Sequence, residues 1–222
     1  MTAAPTDNDC LLAASFVDCD DPAIRAFAAE AIGDAQTPKQ KAVALYGAVR
    51  DTIEYDPYVD FLNPDVFRAS AVLAAGKGFC VGKSALLAAA ARACGIPARP
   101  GYADVRNHLT SRRLRETIGD TFYWHSYTEL FIDGSWVKCT PAFDAAVCER
   151  ANIAPLDFDG VNDSLFHPFD RAGRRHMEYL NDRGAFADVP VAAILADFKK
   201  LYPKLVAAKA PTASFRDEVS TS

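Results

Sequence analysis

The sequence lacks an apolar stretch of the about 18 residues that a membrane-spanning helix needs. It also lacks a basic excess, because 24 Lys and Arg stand against 29 Asp and Glu, for a formal net charge of -5. The first residues, MTAAPTDND, have neither the basic region nor the apolar core of a signal peptide. We therefore expect a cytoplasmic protein that binds neither membranes nor nucleic acids.

Paired cysteines are also absent, since none of the six cysteines belongs to a CxxC pair. Zinc ligands usually come in close pairs, so the spacing argues against a zinc site. A chain of this size without a secretion signal is not expected to carry a disulfide framework. We expect no metal and no other cofactor, and each cysteine taken alone is most simply a small apolar residue.

The composition is that of a folded globular chain, with 50% of the 222 residues apolar and 24% charged. Apolar spacing predicts helices over 21–35, 38–53, 81–94 and 192–205, and strands over 98–105, 123–132 and 136–139. Asp133 and Gly134, between the last two strands, are typical of a tight hairpin turn. Helices followed by antiparallel strands predict a single α+β domain over residues 1–210, and the tail over 211–222 is expected to be disordered.

Two segments show no regular pattern. The polar, arginine-rich segment 107–120 is expected to be a surface excursion, and the segment from 142 to the terminal helix is expected to be irregular. The arginines have two interpretations: they hold a substrate carboxylate or phosphate, or they form a solvated surface cluster. The cluster consists of Arg106, Arg112, Arg113 and Arg115.

Cys80 is the candidate nucleophile, because it immediately precedes the strongest predicted helix of the chain. The start of a helix lowers the pKa of a thiol and so favours the reactive thiolate. The flanking Gly76, Gly78 and Gly82 would let the backbone approach a substrate closely and leave the Cys80 amide free to stabilise an oxyanion. A thiol nucleophile also needs a base, and His125 is the best-placed histidine because it begins a predicted strand.

Four motifs, taken in order, resemble the transglutaminase-like superfamily over residues 40–145. They are Gly78-Phe-Cys80, Gly95-Ile-Pro-Ala-Arg99, His125-Ser-Tyr-Thr-Glu-Leu130 and Asp133-Gly-Ser-Trp-Val-Lys-Cys-Thr-Pro141. The resemblance implies a papain-like fold, in which the helix that carries the nucleophile packs on an antiparallel sheet. It also implies that Cys80 is the nucleophile and that His125 is the general base of a thiolate–imidazolium pair.

The third catalytic position departs from the family pattern, because Thr140-Pro141 stands where the family has Asp-Pro. The Thr140 hydroxyl could orient the imidazole, but it has no charge to stabilise an imidazolium. Asp144, four residues further on, could supply the carboxylate if the chain turns back. The third possibility is that neither residue does so.

We expect a cysteine-dependent enzyme that acts on an acyl or amide carbonyl of a peptide or small molecule, with hydrolysis favoured over transfer. The alternative is a catalytically silent binding module, suggested by the missing aspartate. A metalloenzyme ranks third because the candidate ligands lack metal spacing. Arg106, His108 and Tyr127 are the candidate substrate-binding residues.

Overall fold

A computed structural model of the chain describes residues 6–108, 112–166, 169–174, 176–203 and 215. These residues form one α+β domain of helices and a mainly antiparallel sheet. The helices are α1 (Pro22–Ile32), α2 (Pro38–Thr52), α3 (Ala69–Ala75), α4 (Cys80–Ala93), α5 (Arg112–Ile118), α6 (Ala145–Arg150) and α7 (Val191–Leu201). The strands are β1 (Glu54–Tyr55), β2 (Lys77–Gly78), β3 (Ala98–Asn107), β4 (Thr121–Ile132), β5 (Ser135–Cys139) and β6 (Met177–Ala185).

The four longer strands make an antiparallel sheet in the order β5-β4-β3-β6, and β1 and β2 form a short parallel pair beside α4. Asp133 and Gly134 join β4 to β5 as predicted. Both residues have positive φ, 49° and 87°, which is the backbone conformation that a two-residue hairpin turn requires. The hairpin brings Ile132 opposite Ser135 and so sets the register of the two strands.

Helix α4 is the centre of the core, with helices α1 to α3 on one side and strands β3 and β4 on the other. Its residues are apolar nearly all round, and every side chain from Val81 to Ala91 is buried. The Thr128 hydroxyl on β4 donates a hydrogen bond to the Ser84 carbonyl over 3.0 Å and joins the helix to the sheet. The predicted packing of the cysteine-bearing helix on an antiparallel sheet is therefore confirmed.

Two buried cations of α4 bind main-chain carbonyls and fix the helix in place. Lys83 Nζ donates to the carbonyls of Arg50 and Ile53, at the end of α2, over 2.9 and 2.5 Å. The Arg92 guanidinium donates to the carbonyls of Leu12, Ala98 and Ala187 over 2.6 to 2.8 Å. Both side chains satisfy carbonyls that would otherwise be buried without a partner.

Two segments without a regular pattern in the sequence contain regular structure. Within 107–120, Leu114 and Ile118 share one face of α5 and turn it toward the core, whereas the arginines lie on the outside; residues 109–111 are outside the described part. Beyond residue 142, the expectation is wrong for α6 and for β6, which pairs with β3 as the fourth strand. Strand β6 is mostly exposed and polar, so it shows no apolar alternation in the sequence.

The C-terminal predictions are only partly described by the structure. Helix α7 covers most of the predicted segment 192–205, and residues 204 and 205 lie outside the described part. Of the predicted tail, only Phe215 is described; it is buried, and its ring packs at 5.4 Å from that of Tyr55. Across the described residues, no helix combines the length and apolarity needed to cross a membrane.

Candidate active site

Cys80 is the first residue of α4, and no side chain caps this end of the helix. Phe79 occupies the N-cap position without a side-chain hydrogen bond. The amides of the first helical turn have no carbonyl partners within the helix itself, and they carry the positive end of the helix dipole. They can therefore act as hydrogen-bond donors to a group bound at Cys80.

The glycines around Cys80 serve the packing of the chain itself. Gly76 ends α3 in the left-handed conformation with φ 64°. A Cβ added at Gly82 would lie 2.6 Å from the Val66 carbonyl oxygen and 2.8 Å from a Val72 methyl. The expectation that Gly82 admits a substrate is therefore wrong, because Val66, before α3, and Val72, in α3, fill this position.

His125 is positioned by a β-bulge in β4. Ala103 pairs with His125 and Val105 pairs with Phe122, so β4 contains one more residue than β3 between these pairs. Within the bulge, Trp124 has φ 60°, a left-handed conformation that is uncommon for a bulky residue. The bulge changes the direction of the strand immediately before the histidine.

Three charged residues hold Trp124 in this conformation. Asp104 accepts hydrogen bonds from the Trp124 amide over 3.2 Å and from Arg183 Nε over 2.5 Å. Asp197 accepts from the Trp124 indole N–H and from the same guanidinium, both over 2.8 Å. The Arg183 guanidinium also lies over the indole ring, 4.5 Å from its centroid. We call Asp104, Arg183 and Asp197 the Trp124 clamp.

Cys80 and His125 line the same pocket, which we call the aromatic pocket. The pocket has a free volume of about 50 Å³. Helix α5 contributes Leu114 and Ile118 to its wall. Its aromatic walls include Tyr55, Phe61, Phe79, Phe122, Trp124 and Tyr202.

Burial in this pocket favours the uncharged form of both candidate catalytic groups. It raises the pKa of the Cys80 thiol to about 11, although hydrogen bonds from the amides of Ser126, Val81 and Cys80 act in the opposite direction. Burial, followed by the neighbouring His176, lowers the pKa of His125 to about 4. The resting site thus favours a thiol and a neutral imidazole, whereas the family resemblance implied an ion pair.

Thr140 does not line the aromatic pocket but a second cavity beside His125. The two residues line a small apolar cavity of about 20 Å³, the space of about one water molecule. Among the described residues, neither Thr140 Oγ1 nor His125 Nδ1 has a hydrogen-bond partner, and both atoms are buried. The direct hydrogen bond by which Thr140 could orient the imidazole, one of the three alternatives, is therefore not present in this structure.

Asp144 has a structural role in the described fold. It caps α6, where its carboxylate accepts from the Val147 amide over 3.0 Å, and it accepts from the Tyr55 amide over 2.9 Å. These bonds join the segment after β5 to the segment after α2. The structure gives no hydrogen bond between Asp144 and His125 among the described residues.

His176 was not among the predicted site residues. It lines the small cavity together with His125, and its ring stacks on Phe143 with a centroid distance of 6.4 Å. No signal in the sequence brings it there, because its position depends on β6 pairing beside β3.

The predicted substrate-binding residues do not line the aromatic pocket. Arg106 Nη1 donates to Glu178 over 3.1 Å, and His108 Nε2 lies 3.6 Å from the same carboxylate. Tyr127 is buried with its ring against Gly101, and Lys138 Nζ lies 4.9 Å from the ring centroid. In the described part of the chain, no group of three or more His, Cys, Asp or Glu side chains is arranged to hold a metal ion.

A cysteine at the start of a buried helix, in one pocket with a histidine from an antiparallel strand, is typical of cysteine-dependent enzymes. Residues 25–141, more than half of the chain, match the family model of the transglutaminase-like superfamily. The chain belongs to this superfamily.

A solved structure from Cytophaga hutchinsonii, described as that of "a Putative Cysteine Protease", is similar to the chain with 19% identity and a TM-score of 0.49. The similarity covers 83% of this chain and 48% of the other, so this chain spans about half the length of that protein. The comparison with curated proteins found no match.

Proposed function

We propose that the protein is a thiol-dependent acyl hydrolase, with Cys80 as nucleophile and His125 as general base. The observation that carries this proposal is that both side chains face one pocket at the uncapped start of α4. A carbonyl compound bound there would meet a sulfur atom, a base and main-chain amide donors, which are the parts that acyl transfer requires.

In the first half of the reaction, Cys80 Sγ attacks the carbonyl carbon while its proton passes to His125. The carbonyl oxygen becomes an oxyanion, and the amides of Cys80 and Val81 at the helix start are the donors available to it. The imidazolium then returns the proton to the leaving alcohol or amine as its bond to carbon breaks. The product of this step is a thioester on Cys80.

In the second half, His125 takes a proton from a water molecule that attacks the thioester carbon. The carbon–sulfur bond breaks, the acid leaves, and the proton returns to the thiol. Transfer would differ only in that an amine replaces the water.

Because burial favours the neutral thiol and imidazole, proton transfer accompanies attack instead of preceding it. The base is then available at all pH values above the pKa of His125, about 4, and the thiol stays protonated up to about 11. Acylation assisted by His125 should therefore have a constant rate between about pH 5 and 10. An unassisted thiol with a pKa of about 11 would instead react about tenfold faster with each unit of pH.

The test uses p-nitrophenyl acetate as acyl donor, with p-nitrophenolate release and the mass of the acetylated peptide as readouts. We expect acetylation of Cys80 at a rate that is flat with pH and at least tenfold lower in His125→Gln. Cys80→Ala should abolish nitrophenolate release, whereas Cys94→Ala and His108→Gln, which change residues outside the aromatic pocket, should leave it unchanged. A Cys80 that is never acetylated, or is acetylated equally fast in His125→Gln, would support the binding-module alternative.

A further inference from the structure

The aromatic pocket carries information about the acyl group that Cys80 would accept. Among the described residues that line it, none is Asp, Glu, Lys or Arg. Its wall consists of aromatic and aliphatic side chains from the segment after α2, from α5, β4 and the end of α7, and from Phe79, together with Cys80 and His125. Any group bound beside the sulfur atom would therefore lie against apolar surface.

Two polar side chains of the wall, those of Tyr202 and Trp124, are already bound to other parts of the protein. The Tyr202 hydroxyl donates to the Thr121 carbonyl over 2.8 Å and accepts from the Tyr123 amide over 2.5 Å. The Trp124 indole N–H is bound to Asp197. These atoms have little capacity left to compensate a charged ligand for its lost hydration.

The nearby charged side chains make their contacts outside the pocket. Asp104 and Asp197 share the Arg183 guanidinium within the Trp124 clamp. On α5, the Arg113 guanidinium lies over the Tyr58 ring at 4.9 Å, and Arg115 donates to the His108 carbonyl over 3.1 Å. The predicted arginine cluster therefore does not provide an anion-binding group inside the pocket.

The pocket is also small. Its free volume of about 50 Å³ is about a third of the 150 Å³ of an engineered protein cavity that holds benzene. A short branched alkyl group matches this volume better than a ring does.

We propose that the aromatic pocket binds a compact, uncharged alkyl group next to the reacting carbonyl, so that the enzyme selects short neutral acyl donors. This inference rests on the proposed function, and it assigns the substrate class of the same site. A carboxylate or sulfonate would lose its hydration without a charged partner, and a cation would find aromatic faces but no counter-ion.

The test compares three p-nitrophenyl esters of matched shape, in which the group next to the acyl CH₂ is tert-butyl, trimethylammonium or sulfonate. Acylation rates of Cys80 are divided by the rates with glutathione, which removes the intrinsic reactivity of each ester. We expect the tert-butyl ester to react at least tenfold faster than either charged ester. Equal normalised rates, or a preference for the trimethylammonium ester through cation–π contacts, would overturn the inference.

A matched pair of variants tests whether the pocket wall sets this preference. Ile118→Arg places a cation in the wall and should shift the preference at least tenfold toward the sulfonate ester. Leu62→Arg adds the same charge at an exposed position outside the pocket and should leave the preference unchanged. An unchanged preference in a folded Ile118→Arg would overturn the assignment to this pocket.

The two proposals can fail separately in this design. If no ester acylates Cys80, or if His125→Gln acylates as fast as the wild type, the proposed function fails. If acylation depends on His125 but the three esters react alike, the function stands and only the substrate class fails. The wild-type comparison is sufficient for this decision if Ile118→Arg does not fold.

Discussion

The Asp104 carboxylate accepts a hydrogen bond from the main-chain amide of Trp124, the residue immediately before His125. This bond connects β3 to the bulge in β4 at the point where the backbone adopts φ 60°. A left-handed bulky residue costs about 1 to 3 kcal/mol and persists only where its surroundings hold it. The direction of the His125 side chain therefore depends on charged groups outside the aromatic pocket.

Asp104→Asn should weaken this clamp, because it removes the charge that faces Arg183. We expect kcat to fall about tenfold to a hundredfold with little change in KM, since the variant displaces the base but leaves the pocket wall intact. The free energy of unfolding should fall by about 1.5 to 3 kcal/mol. The measurements are steady-state kinetics with p-nitrophenyl acetate and denaturant unfolding.

The control is Asp182→Asn, which removes an exposed carboxylate from β6 opposite Ala103. It should leave kcat unchanged. If Asp104→Asn lost only stability and kept the wild-type kcat, the clamp would be structural and would have no role in positioning His125.

The contrast between the β4–β5 hairpin and β6 shows what the sequence can predict. Asp133 and Gly134 adopt positive φ at adjacent positions, so a two-residue signal is enough to predict the turn. Strand β6 pairs through its main chain with side chains mostly exposed, and its sequence, MEYLNDRGA, has no apolar face to reveal it. The roles of Arg183 and His176 could not be predicted because both depend on this pairing.

The candidate site was predictable to a similar extent. Motif order placed Cys80 and His125 together, and the structure brings both into one pocket. The protonation states of Cys80 and His125 were not predictable, because their pKa values depend on burial by residues distant in sequence. Arg106 and His108 follow a predicted core strand and so suggested a binding site, but Glu178, on the unpredicted strand, is their partner.

Gly82→Ala tests the packing of α4, and Gly47→Ala in α2 is its matched control. A Cβ at Gly82 meets the Val66 carbonyl oxygen at 2.6 Å, so we expect a loss of about 1 to 3 kcal/mol. A Cβ at Gly47, in α2, meets no atom within 4 Å, and the better helix propensity of alanine should add about 0.5 to 1 kcal/mol. Chemical denaturation measures the free energy of unfolding of both variants. An unchanged value in Gly82→Ala would show that the segment around Val66 moves aside at little cost.

The stability of the protein should depend on pH through His125. Its pKa falls from 6.5 to about 4 on folding, so the unfolded chain binds the proton more tightly. The contribution of His125 to the free energy of unfolding is therefore fully present above about pH 6.5. It is lost as the pH falls toward 4, and it amounts to roughly 3 kcal/mol at about 1.4 kcal/mol per pH unit. Unfolding free energies across this range should have a smaller slope in His125→Gln, and equal slopes would contradict the shifted pKa.

Thr140→Asp restores the carboxylate of the family pattern in the small apolar cavity beside His125. A negative charge there favours the imidazolium, so the pKa of His125 should rise above 4 and the acid limb of the pH–rate profile should move to higher pH. Thr140→Val keeps the shape without the charge and should leave the acid limb in place. The measurement is the titration of the His125 ring protons by NMR. An unchanged pKa of His125 in Thr140→Asp would show that a charge at position 140 has no electrostatic effect on this imidazole.

The order of the elements along the chain has a consequence for biosynthesis. Cys80 and His125 are translated well before β6, yet Arg183, which holds the bulge before His125, lies on β6. A chain still attached to the ribosome and ending before Met177 carries both reactive groups without the strand that orders one of them. With Cys80 as the nucleophile that we propose, the bulge that orients its base is held by Arg183 only after β6 has been translated, which delays acylation of the nascent chain until that point.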